Sequence, residues 1–381
     1  MDLKRDEKVS LFDLALYFLK LGTTGFGGPI ALTSSMQSDL VDKRGWFTQE
    51  TFKEGMTLCQ LAPGPLAAQM AIYFGWAHSG VLGATLVGLT FVLPSFLMVV
   101  AIAIFYIQFG DALLIQKLFR GVGPAVIAII CMGAQKLSRK NLSNNFLLWG
   151  IAIANATITI VTESEMIWVF IVCGLLALAM KFKAKRSLNS VILAPFLLTG
   201  IHGPATSETL KSIFLFFLKS GTFVFGSGLA IVPFLHGGVV VENQWLTEKQ
   251  FLDAVAVAMI TPGPVVITVG FIGFLVAGLA GASVAALGTF LPCYLFTVIP
   301  APYFSKIAKN SYIREFVSGV TASAIGAIIG AVFILGRKSL LDVPTVAIFL
   351  IVLFGLLYAK KIPEPIWILL AAGAGLLTAQ L

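Results

Sequence analysis

A tandem duplication governs what this chain can fold into. Phe52 to Pro65 reads FKEGMTLCQLAPGP, and Phe251 to Pro264 reads FLDAVAVAMITPGP. Adding 199 to a position in the first half finds its partner in the second. Phe18, Leu19 and Lys20 become Phe217, Leu218 and Lys219; Gly22 becomes Gly221, and Phe26 and Gly27 become Phe225 and Gly226. Trp46 becomes Trp245, Thr48 becomes Thr247, and Pro63-Gly64-Pro65 becomes Pro262-Gly263-Pro264. Apolar segments share Leu or Ala by chance; they rarely share Lys, Trp and a Pro-Gly-Pro triplet in register. The expected organisation is a first repeat over 1–189, a connecting segment over 190–209 and a second repeat over 210–381. In a membrane protein, such internal repeats point first to a transporter.

Hydrophobic residues make up 58% of the chain and charged residues 12%. A soluble domain carries about a quarter charged residues, so the repeats belong in a bilayer. Apolar runs approaching the ~20 residues needed to cross it recur throughout. They lie near 11–30, 65–77, 80–107, 112–134, 145–161, 166–181 and 190–201. Their second-half counterparts lie near 210–232, 264–277, 278–300, 313–336, 342–358 and 364–380. The fold class is therefore an all-α polytopic membrane protein with broken helices, 190–201 being a candidate extra short span. The net charge of +8 sits mostly in short loops and does not point to nucleic acid. The charged N-terminus runs straight into a helix, against a cleaved signal peptide. Cys59, Cys131, Cys173 and Cys293 are scattered, implying neither a disulfide framework nor a metal site.

Loop charges bear on orientation. The first half opens with Lys4, Arg5 and Lys8 and ends in KFKAKR over 181–186, while the second ends uncharged. Glu163 and Glu165 face Lys360 and Lys361 at the matching turn, and Lys117 and Arg120 face the more basic Lys306, Lys309 and Arg314. These contrasts favour inverted repeats with the N-terminus inside. One comparison disagrees: Lys136, Arg139 and Lys140 match Arg337 and Lys338, so both of these loops read as cytoplasmic.

Gly25-Phe26-Gly27-Gly28-Pro29 interrupts the first apolar segment, and Phe225-Gly226-Ser227-Gly228 interrupts its partner. The Pro-Gly-Pro triplets make a second pair of breaks. Glycine loosens a helix and proline removes a donor, so such breaks survive at membrane depth only against protein or a wet cavity. A half-helix begun there aims free N–H groups and a positive dipole end at an anion; packing kinks are the plainer reading. Lys20 and Lys219 would add positive charge, or else snorkel to the interface. The expected substrate-binding set is Lys20, Phe26, Gly27, Gly28, Gln60, Gly64, Gln69, Lys219, Gly226 and Gly263. Pro29, Pro63, Pro65, Pro262 and Pro264 serve as hinges. Glu54 and its partner Asp253 are candidates for carrying a coupling proton, or for neutralising the lysines. Gln60 and Gln69 have Met259 and Thr268 as partners, so the first half is better equipped for polar recognition. His78, His202 and His236 stand isolated. No catalytic, nucleotide or cofactor motif is present, which leaves an ion gradient as the energy source.

The FGGP of Phe26–Pro29, the Trp46 region, the Gln60–Pro65 stretch with Gln69, and FVLPS at Phe91–Ser95 together resemble the chromate ion transporter family. The resemblance covers both halves and implies a multi-pass carrier of the plasma (inner) membrane that expels chromate, driven by the proton-motive force. Its substrate would be a tetrahedral oxyanion, with sulfate the near rival and a passive anion channel the reading from another class. No cofactor is implied; a homodimer is the assembly entertained. FGSG replaces FGGP in the second half, so substrate contacts carry over more safely to the first.

Overall fold

The structure, a computed structural model, describes residues 9–26, 28–109, 112–142, 145–163, 167–181, 206–224, 228–303, 311–359 and 362–378. The extra span expected at 190–201 lies outside them. The first half runs α1 Leu11–Thr24, α2 Gly28–Met36, α3 Gln49–Leu61, α4 Leu66–Phe109, α5 Leu113–Asn141, α6 Phe146–Thr162 and α7 Ile167–Lys181. The second runs α8 Ser207–Thr222, α9 Ile231–Leu235, α10 Glu248–Ile260, α11 Thr268–Val298, α12 Ser311–Ser339, α13 Val343–Tyr358 and α14 Glu364–Thr378. Among the described residues no strand interrupts this order, and each helix of one half has its counterpart in the other. Among the described residues, four stretches are long and apolar enough to cross a membrane: Leu66–Phe109, Leu113–Asn141, Val265–Tyr303 and Ser311–Ser339.

Local geometry repeats with the sequence. Thr48 caps α3 by accepting from Thr51 N–H, and Thr247 caps α10 by accepting from Gln250 N–H. Each cap satisfies an orphan first-turn donor, which explains a threonine kept at both positions. Ahead of these caps, α2 and α9 both loosen into π-helical turns, over Gln37–Lys43 and His236–Glu242. The long helices break alike. Ser79 and Gly80 leave helical geometry inside α4 (Gly80 φ 59°, ψ −142°), as Ala277 and Gly278 do inside α11 (Gly278 φ 60°, ψ −153°). The sequence boundaries at 77/80 and 277/278 fall on these turns. The second pair stands 198 positions after the first, so the second half is one residue shorter between Pro264 and Ala277 than the first between Pro65 and Ser79.

The halves are interlocked. Helices α6 and α7 of the first pack on α12 of the second, and α13 and α14 of the second pack on α5 of the first. Gly121 of α5 lies against the backbone of Ala371 and Gly375 in α14; Gly319 of α12 lies against Cys173 and Ala177 in α7. Lipid offers no hydrophobic drive for helix association, so small residues that admit close backbone approach supply the dispersion contact instead. Asn155 of α6 adds a hydrogen bond from its side-chain amide to the Ser323 carbonyl of α12, at 2.7 Å and fully buried. Helices α5 and α12 run in opposite senses. Ser339 at the end of α12, and Asp342 just beyond it, meet Gly123 and Arg120 in the first half of α5.

Candidate functional site

The four breaks meet at the centre. Gly64 of the first Pro-Gly-Pro triplet donates its N–H to the Val224 carbonyl at 2.5 Å, and Gly263 of the second donates to the Gly25 carbonyl at 2.8 Å. Gly64 matches Gly263 and Gly25 matches Val224, so one bond is the image of the other. A helix broken in the membrane leaves backbone groups that water cannot reach; here each repeat satisfies those of its twin. Gly28, Pro29, Pro65, Gly228 and Pro264 enclose a void of about 10 Å³ between the breaks. Behind them, the Gln69 amide donates to the Pro63 carbonyl at 2.9 Å, and the Ser95 hydroxyl to the Gly22 carbonyl at 3.3 Å.

On one side of this junction opens a cavity of about 480 Å³. Its inner wall is the break at Gly25 and Phe26 and the first turn of α2, Gly28 to Ala31. The start of α4 at Leu66, the ends of α3 and α10 at Gln60, Met259 and Thr261, and Gly263 with Val265 complete that wall. The first amides of a helix have no intrahelical acceptor, so the α2 start presents a fixed partial positive charge. The outer wall carries Gly133, Lys136, Lys140 and Asn141 from α5, Thr321 from α12 and Glu364 from α14. Lys136 lies 3.7 Å from Glu364, whereas no carboxylate is paired with Lys140 among the described residues. The arrangement offers an anion helix-end dipoles within and ammonium groups at the mouth.

Of the residues expected from sequence, Phe26, Gly28, Pro29, Gln60 and Gly263 line the cavity. Gly64, Gln69, Pro63, Pro65, Pro262 and Pro264 shape the breaks behind it; Pro65 and Pro264 immediately precede the helical turns at Leu66 and Val265. Gly27 and Gly226 lie outside the described residues. Lys20 and Lys219 are exposed and line no part of the cavity. Their helices bury the opposite stripe, Leu14, Phe18 and Leu21 in α1 and Ile213 and Phe217 in α8, which turns both lysines outward. Glu54 accepts a hydrogen bond from Tyr73 at 3.4 Å, and buried Asp253 one from Tyr106 at 2.7 Å.

Sequence reading missed Lys136 and Lys140 as lining groups, because cations near helix ends read first as loop charges. Their signal was the match of Arg139-Lys140 to Arg337-Lys338. It also left His236 isolated, whereas the buried imidazole meets the Glu248 carboxylate at 2.9 Å. The equivalent positions in the first half, Gln37 and Gln49, face each other at 3.5 Å.

The chain matches the family model described as chromate transporter in two segments, residues 12–178 and 211–377. It is 53% identical to the "Chromate transport protein" of Cupriavidus metallidurans, over 97% of this chain and 92% of that one. It is 56% identical to the "Probable chromate transport protein" of Synechococcus elongatus, over 97% of this chain and 95% of that one. The "Chromate transport protein" of Pseudomonas aeruginosa is 30% identical over 93% of this chain and 89% of its own. No solved structure matches. Two matched segments, each carrying one set of breaks, cover nearly all of the chain, which therefore belongs to the chromate transporter family, a family of transport proteins and not of enzymes.

Proposed function

We propose that this protein is a secondary active carrier that moves chromate out of the cytoplasm across the plasma membrane, with protons as the coupling ion. The observation that carries the reading is the cavity itself: the first turn of α2, begun at a break, and Lys136 and Lys140 line one space of about 480 Å³. A dianionic oxyanion needs this combination of fixed backbone donors and mobile cations. Lys20 and Lys219 remain in the proposal as outer attractants, on the exposed faces of α1 and α8.

The repeats are proposed to be inverted, with the N-terminus inside. The opposite run of α5 and α12 supports this, as does the loop-charge pattern. On that topology the cavity opens to the cytoplasm, beside Lys136 and Lys140. Glu54 and Asp253 are the proposed proton carriers: each accepts from a tyrosine of α4, a partner able to stabilise either protonation state. The prolines and glycines of the breaks are the proposed hinges.

Inverted membrane vesicles with an imposed pH difference and radiolabelled chromate test this directly. Uptake driven by the gradient, lowered about tenfold or more in Lys140→Gln through loss of a charge-assisted contact, is expected. Uptake that persists without a gradient, and survives Glu54→Gln with Asp253→Asn, would make the protein a passive anion channel. Equal competition by sulfate would make it a general oxyanion carrier.

A further inference from the structure

The twin of Lys140 is engaged differently. Lys338 follows Lys140 by 198 positions, the same spacing as the turns inside α4 and α11 and the Pro94/Pro292 pair. Lys140 faces an open cavity; the Lys338 ammonium meets the carboxylates of Glu248 at 2.5 Å and Glu163 at 3.3 Å. Arg337 joins Glu163 at 3.0 Å, and His236 holds Glu248 from its other side. The wall one to two turns before Lys338 is shut. Ala331, Ile334 and Leu335 occupy the places of Gly133, Lys136 and Leu137, and all three are buried. Lys338 and Glu248 instead line an outer cleft of about 560 Å³ with Arg120 and Asp253, and that cleft stops short of this packed wall.

We propose that Lys338 is the far-side counterpart of Lys140 on the anion's path, and that Glu248 and Glu163 hold that side closed by occupying the anion's place. The inference rests on the carrier reading and adds a gate to it. Two carboxylates around one ammonium reproduce what an oxyanion would offer it, so the clamp and the bound substrate become alternatives at Lys338. The first half has no equivalent clamp. Gln49 and Gln37 stand for Glu248 and His236, and the turn matching Glu163 carries Lys360 and Lys361. The state with the Lys338 side shut is thus the favoured resting state. The clamp also accounts for the one pair of cations, Arg337 and Lys338, at odds with the charge bias of the loops: they are retained for gating rather than for topology.

The test uses single cysteines in a background lacking the four native ones, labelled in membranes by a charged maleimide without substrate. Ala331→Cys reports the closed side and Thr321→Cys the cavity. Glu248→Gln is expected to raise labelling at 331 about tenfold and to lower it at 321, the shift produced by losing one charge-assisted hydrogen bond. Lys338→Gln must act the same way, because the pair and not either partner is the clamp. Unchanged labelling in folded Glu248→Gln, or a response to Glu248→Gln that Lys338→Gln does not share, overturns the proposal. A shift in labelling together with absent chromate uptake would keep the clamp and remove the substrate reading instead.

Discussion

Gly263 concentrates the demands of the junction in one residue. Its φ of +100° is a conformation that a side chain adopts only under strain, and its N–H must reach the Gly25 carbonyl. A Cβ placed there would strike the Ser95 side chain, itself bonded to Gly22. Gly263→Ala should therefore cost about 1–3 kcal/mol, read as a lower Tm in detergent. Gly373 has open space where a Cβ would go, so Gly373→Ala should leave the Tm unchanged or slightly raised. Equal effects at both positions would remove the strained-junction interpretation. The importance of Gly263 was legible because Pro-Gly-Pro recurs in register. The outward turn of Lys20 was less so: a matched lysine among apolar residues marks a shared position, not the direction in which the helix presents it.

At the scale of elements, the loop after α12 ties the halves together. Asp342 caps α13 by accepting from Thr345 N–H at 2.9 Å and takes the Arg120 guanidinium of α5 at 2.6 Å. The Thr345 backbone bond, and then Arg120, hold its carboxyl below the ordinary carboxylate range. A depressed folded pKa gives stability that is present above the unfolded value and lost as pH falls through the folded one. Asp342→Ala should cost about 0.5–2 kcal/mol near neutrality through the lost cap. The difference in Tm between variant and parent should then narrow as pH falls below the carboxylate range; a gap constant down to pH ~3 would contradict the assignment. The breaks inside α4 and α11 could be located from sequence, since Gly-rich boundaries interrupted the apolar runs. The exchange of α6 and α7 for α13 and α14 could not: their lipid-like sequences carry no mark of which long helix they cover.

For the whole molecule, duplication supplies two copies of every break, and divergence makes their surroundings unequal. Lys140 faces space where Lys338 faces carboxylates, and the buried Ile334 stands where Lys136 lines the cavity. The repeat, the membrane class and the family could be read before any coordinates. The cavity required tertiary structure, because its walls come from α2, α3, α5, α10, α12 and α14, segments drawn from both halves. The most direct measurement is an experimental structure of the protein loaded with chromate, with chromium located by its anomalous scattering. A chromium peak bounded by Gly28, Gln60, Thr261 and Lys140 is the expected result. A peak on the outer faces of α1 and α8 beside Lys20 or Lys219, with that cavity empty, would contradict it.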